Sequence, residues 1–508
     1  MTQEQALAIL KTGANVFLTG SPGSGKTHTV NQYVSWLRGY GIEPALTAST
    51  GIAATHISGM TIHSWSGIGI ANELSRYDLD RIASNERVVK RVSKAHVLII
   101  DEVSMLDART LAMVDAVCRA VRRSDLPFGG LQTVLVGDFF QLPPVAREGR
   151  TAEFAFRSPA WRSLHPAVCY LSEQYRQDDA DFLALLTAIR TDAVNDSHLR
   201  MLASRQPMDE YGEEETVKLY AHNLNVDQIN DRELSRLHGE SRAYDMRTKG
   251  PAHLIESLLR GCLSPASLQL KPGAKVMFTR NDPQGKFVNG TLGTVIRCAK
   301  GTGYPVVQVR GRTEITAEPM EWKIEDQGDV LASVEQIPLR LAWAMTIHKS
   351  QGMSLDRALM DLSAVFEYGQ GYVALSRVRR LSGLLLVGYN ERAFKVHPDI
   401  LVQDQIFLTE SREAETENAR WTTEEREKIE AAFVVACGGR MGAKKKPAAL
   451  HAARATSPKA YTRWTEGEEK ELVTLFNDGR ATTEIARRME RKPGGIISRL
   501  KKLGLIQE

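Results

Sequence analysis

The stretch "NVFLTGSPGSGKTHTV", residues 15–30, constrains the chain more than any other. An apolar run ends in a glycine-rich turn, and a helical pattern begins at once. The turn carries G-x-x-x-x-G-K-T, which wraps backbone N–H groups and a helix N-terminus around phosphates. A strand, loop and helix in this order belong to an α/β sheet with its ligands beyond the strand ends. Gly20, Gly23 and Gly25 let the backbone approach the phosphates closely, with Ser24 and His28 beside them. Lys26 is expected to reach the β- and γ-phosphates of ATP, and Thr27 to ligate Mg²⁺.

Three further apolar runs, "EPALTAS", "HVLIIDE" and "TVLVGD", read as buried parallel strands. "HVLIIDE" ends in two carboxylates. Asp101 is expected in the magnesium shell, and Glu102 is expected to activate the attacking water. "TVLVGDFFQLPPV" brings Gln141 to a third strand end, where a carboxamide can bond both the terminal phosphate and the water. Charge developing on the γ-phosphoryl group calls for arginines from an opposing surface. Arg176 in "LSEQYRQD" and Arg377 in "YVALSRVRR" are the candidates.

At 508 residues the chain has room for about three domains. It contains no apolar run long enough to span a bilayer, and no membrane partner is expected. The N-terminus lacks the pattern of a secretory leader. Five cysteines are scattered without a C-x-x-C pair, so a reducing cytoplasm fits best, nucleoid-associated in a bacterium. The net charge is +4, unevenly placed. From Arg440 onward 16 Lys/Arg face 8 Asp/Glu, which leaves the body mildly acidic and the tail basic. Such a tail suits an anionic partner or serves solubility.

Residues 1–165 read as a first α/β domain with a polar insert at about 70–94. Residues 166–262 and 335–400 read as a second. Between its halves, 263–334 alternates short strands with N-D-P, N-G and G-x-G turns, as in a small β-barrel. Residues 401–460 read as a charged, then basic, linker. A helical module follows at 461–508, in which Thr465 and Glu468 form a capping-box pattern. "RWTTEEREKIEAAF" weakly repeats in "RWTEGEEKELVTLF".

The ordered set "LTGSPGSGKT", "ALTASTGIAATHISGMTIHSWSGIG", "LIIDEVSMLD", "LPFGGLQTVLVGDFFQLPPV", "LSEQYRQ", "MTIHKSQGMSLDRA" and "YVALSRVRR" resembles the petite-integration-frequency ("Pif-one") helicases. These belong to the RecD-like branch of helicase superfamily one. The resemblance covers about residues 1–395. "KPGAKVMFTRNDPQGKFVNGTLGTV" resembles the SH3-like insert of the second motor domain. The resemblance implies two RecA-like domains with ATP between them, and 5′-to-3′ translocation on single-stranded DNA with unwinding of tailed duplex. It implies that Gln5 reads adenine, that Gly352 lies near the nucleotide, and that Gln351 couples it to DNA. It places Thr61, His63 and Trp65 of one T-I-H triplet, and Thr346, His348 and Lys349 of the other, against the strand. Pro22, Ser24 and Thr27 depart from the commonest residues of the loop but keep its chemistry. Val378 and Arg379 stand where "AR" is expected.

The last module resembles a Myb/SANT-like or helix-turn-helix domain. Arg499, Lys501 and Lys502 on its third helix are candidate DNA contacts, and docking on a protein partner is the other reading. A monomer is expected. Two rival functions remain at this point: a nucleotide-switched DNA-binding regulator, and an RNA helicase or recombination-complex subunit.

Overall fold

The computed structural model describes residues 1–57, 59–69, 71, 73–144, 153–173, 179–206, 216–282, 284, 286–287, 289–309, 313–326, 329–440, 466–478, 480, 482–489, 491, 496, 499–500 and 503. They form two compact units. One comprises Met1–Arg38 with Ile42–Cys437, the other Gly39–Gly41 with Gly438–Glu508.

The first unit contains two parallel sheets. In the larger, the strands run in the order Met60–Thr61, Ala45–Ala48, Val97–Asp101, Gln132–Val136, Val16–Gly20 and Ala167–Leu171. All pairings are parallel, and the two strands at the centre of the phosphate-loop side are buried throughout. This is why their sequences read as unbroken apolar runs rather than alternations. The order puts the C-terminal ends of Val16–Gly20, Gln132–Val136 and Val97–Asp101 side by side, so the loop, Asp138 and the Asp101–Glu102 pair share one edge.

Strand Ala167–Leu171 pairs with Val16–Gly20 over five residues and belongs to this sheet. The first domain therefore continues past the boundary expected at 165, because "AVCYL" is itself an apolar parallel strand. Within the insert expected at about 70–94, the helices Arg76–Ala83 and Glu86–Lys94 pack Ile82, Val88 and Val92 into the core.

The second sheet orders Ala344–Thr346, Val217–Tyr220, Ala358–Leu362 and Leu384–Tyr389, all parallel. Between its first and second strands in sequence lies a five-stranded antiparallel sheet. Its order is Glu314–Thr316, Pro305–Val309, Leu292–Cys298, Lys275–Phe278 and Leu339–Leu341. Val276, Phe278, Val295, Val307 and Leu339 fill its core. Strand Leu339–Leu341 closes it beyond the boundary expected at 334. Strands Arg242–Asp245 and Arg247–Lys249, expected within the second motor segment, pair instead with strands of the insert region.

The largest departure is at 401–437. The expected linker is a helix pair, Pro398–Ala419 and Thr423–Ala436. The first helix buries only a narrow stripe of Ile400, Phe407, Ser411 and Asn418, while Val402 and Ile406 are exposed and its C-terminal half is charged. Phe407 enters an aromatic cluster of the first domain, 4.9 Å from the Phe17 ring and stacked 6.0 Å from Phe139. Phe407→Ala should cost about 3–5 kcal/mol, the usual range for a truncated core aromatic. Denaturant unfolding measures this, and a loss below about 1 kcal/mol would show that the helix is only loosely docked.

The second unit has helices Glu466–Asn477 and Thr482–Arg488 around Leu472, Leu475, Ile485, Met489, Ile496 and Leu500. Thr465 lies outside the described residues. Glu468 pairs with Arg491 at 2.9 Å. No helix among the described residues is long and apolar enough to cross a membrane.

Candidate active site

The glycine loop turns through left-handed backbone at Gly23 (φ +91°) and Gly25 (φ +92°). At Gly25 the left-handed backbone favours glycine, and a Cβ would fall 2.0 Å from Gln3 Nε2, the movable end of a flexible side chain. Gln3 donates to the Ser24 carbonyl at 3.1 Å. Gln3, which no sequence motif singles out, thus touches the loop. Gln5 closes a capping box with Thr2 and donates to Glu415 at 2.7 Å. Ser24 is fully buried, its hydroxyl beneath Gly20, so its side chain supports the loop from below. Lys26 Nζ donates to the carbonyls of Gly20 (2.6 Å) and Ser21 (3.2 Å). Thr27 and His28 are exposed at the start of the following helix.

Asp101 ends its strand, and Glu102 follows in left-handed backbone at φ +51°, an uncommon conformation for a residue with a side chain. The Glu102 amide donates to Asp101 Oδ1 at 2.9 Å. Burial raises the pKa of both carboxyls; their mutual repulsion raises Glu102 further, while Lys26 opposes the rise at each. Arg377 also lowers the Glu102 value, so the two residues feel one another across the site.

Arg377 follows the short helix Gln370–Leu375 of the second sheet and is 1% exposed. Its Nε donates to the Val373 carbonyl at 2.8 Å and its Nη2 to Ser376 Oγ at 2.7 Å. Gln141 is buried; it donates to Asp138 and accepts from Gln351 Nε2, each at 3.4 Å. A cleft of about 1990 Å³ gathers Lys26, Thr27, Glu102 and Gln141 from the first domain with Gly352 and Arg377 from the second. Arg379 and Arg380 line it as well. In the sequence they stand only as part of the basic run "SRVRR". Arg176 lies outside the described residues.

The two T-I-H triplets take equivalent places. Met60–Thr61 and Ala344–Thr346 are each an edge strand, and each triplet runs on from the strand end. Thr61 caps the helix Ile62–Ser66, accepting from the Ser64 amide at 3.2 Å. His63 is half-buried. Trp65 is 4% exposed within the hydrophobic core, which leaves no open ring face for a base, contrary to its expected role. Thr346 is 2% exposed. His348 is half-buried, its pKa lowered by burial and by His222. The Lys349 side chain lies outside the description. In the second unit Arg499 is ion-paired with Glu469, so its charge is engaged within the module. Lys501 and Lys502 lie outside the described residues.

Residues 3–198 match the model of the PIF1-like helicase family, and residues 253–298 that of the "DNA helicase Pif1, 2B domain". The chain is 41% identical over 497 residues to the ATP-dependent DNA helicase Pif1 of Psychrobacter sp. (strain PRwf-1), covering 86% of this chain and 75% of that one. It is similar to Bacteroides sp. Pif1 in complex with ADP-AlF4, with TM-score 0.70 and 29% identity over 80% of this chain and 96% of the other. Bacteroides Pif1 bound to ssDNA gives TM-score 0.56 and 30% identity over the same shares. A nucleotide cleft between two parallel sheets, an antiparallel insert in the second and these sequence matches have one reading: the chain belongs to the PIF1-like helicase family.

Proposed function

We infer that the chain is an ATP-dependent DNA helicase that moves 5′ to 3′ along single-stranded DNA and separates the duplex ahead. The observation that carries this is one cleft holding Lys26 and Glu102 of the first sheet and Arg377 of the second. Hydrolysis in such a cleft changes how the two sheets meet, and each sheet bears a T-I-H triplet at an edge-strand end. Gln351, three residues beyond His348, bonds Gln141 in the cleft and supports a link from strand to nucleotide.

Lys26 would exchange its carbonyl partners for the β- and γ-phosphates. Glu102 would take the proton of the attacking water, Gln141 would orient that water, and Arg377 would meet the charge that develops on the transferred group. The Asp101 and Glu102 carboxylates at one strand end, with Thr27 lining the same cleft as Glu102, make a hard oxygen donor set, which fits Mg²⁺ at Thr27 and Asp101. When bound, the ion supplies charge neutralisation at the β- and γ-phosphates. Gln5, Ser24, His28 and Gly352 complete the nucleotide-binding set in this reading, Gln5 through adenine and Ser24 through its backbone.

The five-stranded sheet is read as an SH3-like insert, and the second unit as a three-helix module for DNA or a protein partner. A monomer in the cytoplasm is consistent with the reading, and the five cysteines are free thiols. The regulator alternative gives no task to an arginine contributed by a second motor sheet. Unwinding of 5′-tailed against 3′-tailed duplexes tests the proposal. Strand separation is expected only with the 5′ tail. Activity confined to the 3′ tail would remove the polarity, and stimulation of the ATPase by single-stranded RNA alone would change the substrate.

A further inference from the structure

Outside the residues assigned above, the first unit buries a second cation, Arg190, at the end of the helix Ala180–Arg190. Its partners come from four different segments, Asp404 of the helix Pro398–Ala419 among them at 3.9 Å. Nη1 donates to both carboxylate oxygens of Asp138, at 3.0 and 2.9 Å, and to the Tyr372 hydroxyl at 3.0 Å. Nη2 donates to the Tyr170 hydroxyl at 2.6 Å, and that hydroxyl donates to Asp404 at 3.0 Å. The guanidinium also lies 4.0 Å over the Phe140 ring.

Two of these partners lead into the cleft. Asp138 accepts from the Phe140 amide and from the Gln141 carboxamide, so the turn presenting Gln141 is built on this carboxylate. Tyr372 sits in the helix that leads to Arg377. The same two segments meet directly at Gly369, where a Cβ would fall 2.4 Å from the Gln141 carbonyl and 2.5 Å from that of Phe140. Gly369 adopts φ +74°, so no other side chain would relieve the contact. The first-sheet turn and the second-sheet helix are therefore in register at backbone contact, with Arg190 bonded to both.

A buried charged cluster is a poor source of stability compared with an apolar core of the same volume. What it supplies is a fixed arrangement, because each hydrogen bond admits one orientation of the planar fork. We propose that Arg190 is a positioning residue for ATP hydrolysis: it sets Gln141, through Asp138, and Arg377, through Tyr372, in mutual register when the cleft is assembled on DNA. This rests on the helicase reading above and extends it to a residue that touches neither nucleotide nor strand.

Removing Arg190 would strand Asp138 as a buried unpaired charge and unfold the site, so the test uses its two tyrosine partners. Each gives Arg190 one hydroxyl, Tyr170 partly buried and Tyr372 fully, but only Tyr372 belongs to the second sheet's helix. Tyr372→Phe should lower the kcat of the DNA-stimulated ATPase by about tenfold or more, with KM for ATP within about threefold, as expected for lost orientation rather than lost binding. Tyr170→Phe should keep kcat within about twofold while lowering Tm at least as much as Tyr372→Phe. Equal kcat losses in both variants, or kcat within about twofold in both, would overturn the proposal and leave Arg190 a fold-stabilising group. Wild-type protein assayed in parallel keeps the two readings apart: if it lacks DNA-stimulated ATPase, the helicase reading fails, whatever the variants do.

Discussion

Glu102→Gln should lower kcat for ATP hydrolysis by about 10²–10⁴, the range for loss of a general base, and raise the melting temperature at about pH 8. Both effects follow from one feature. Burial and the neighbouring Asp101 hold the Glu102 pKa above its ordinary 4.5. The folded protein therefore binds that proton more tightly than the unfolded chain. Stability contributed by the group is present below the unfolded value and is lost as pH rises through the folded one. At neutral pH and above the ionised carboxylate is a burden that glutamine removes at nearly unchanged volume. The gain in Tm should shrink on acidification and vanish below the ordinary glutamate range. Thermal melts of both proteins across pH, with steady-state hydrolysis, make the check. An unchanged or lower Tm at high pH, or kcat within about tenfold of wild type, would refute the assignment. The same shift predicts that kcat/KM falls on acidification at a pH above that of an ordinary glutamate, because the base must be ionised in the free enzyme.

Arg377→Ala should cost about 10³–10⁵ in kcat, the magnitude attached to an arginine that meets the transferring phosphoryl group. ATP affinity should change far less, since the loop and Lys26 stand on the other sheet. Arg377→Lys should recover little, because a point charge does not reproduce the planar fork. The arginine is buried and bonded to Val373 and Ser376, so retained DNA binding and a cooperative melt must accompany the loss. Arg379→Ala and Arg380→Ala are the informative comparisons, since both residues line the cleft. If either carries the large loss while Arg377→Ala keeps activity within about tenfold, the finger is assigned to the wrong arginine.

The parts of the site legible in the sequence share a physical trait. Lys26, Asp101, Glu102 and Gln141 each stand just beyond a continuous apolar run, and a polar residue there has nowhere to go but the ligand edge of a parallel sheet. Arg377 was legible only through its surrounding motif. Arg190 was not legible, because a lone arginine in the last turn of "ADFLALLTAIR" reads as a solvated helix end. Its partners lie 20 to 214 residues away in sequence. Trp65 is expected at the strand only through the resemblance, and its burial in the core is not visible in the motif itself. The helix Pro398–Ala419 was not legible because its apolar residues fall on both faces: Ile400 and Phe407 are buried while Val402 and Ile406 are exposed, so no amphipathic period stands out.

That helix also bears on where the motor ends. Ala167–Leu171 is an edge strand of the larger sheet, and an edge strand with free backbone groups invites pairing with another chain. Ser411 accepts from the Tyr170 amide at 3.1 Å, and Phe407 covers the apolar surface beneath. A truncation placed after the last strand of the second sheet would retain every ATP motif, yet strip this cover from the first. Such a fragment should aggregate through its uncovered edge, so the smallest soluble motor runs through the helix Pro398–Ala419 rather than stopping where the motifs do.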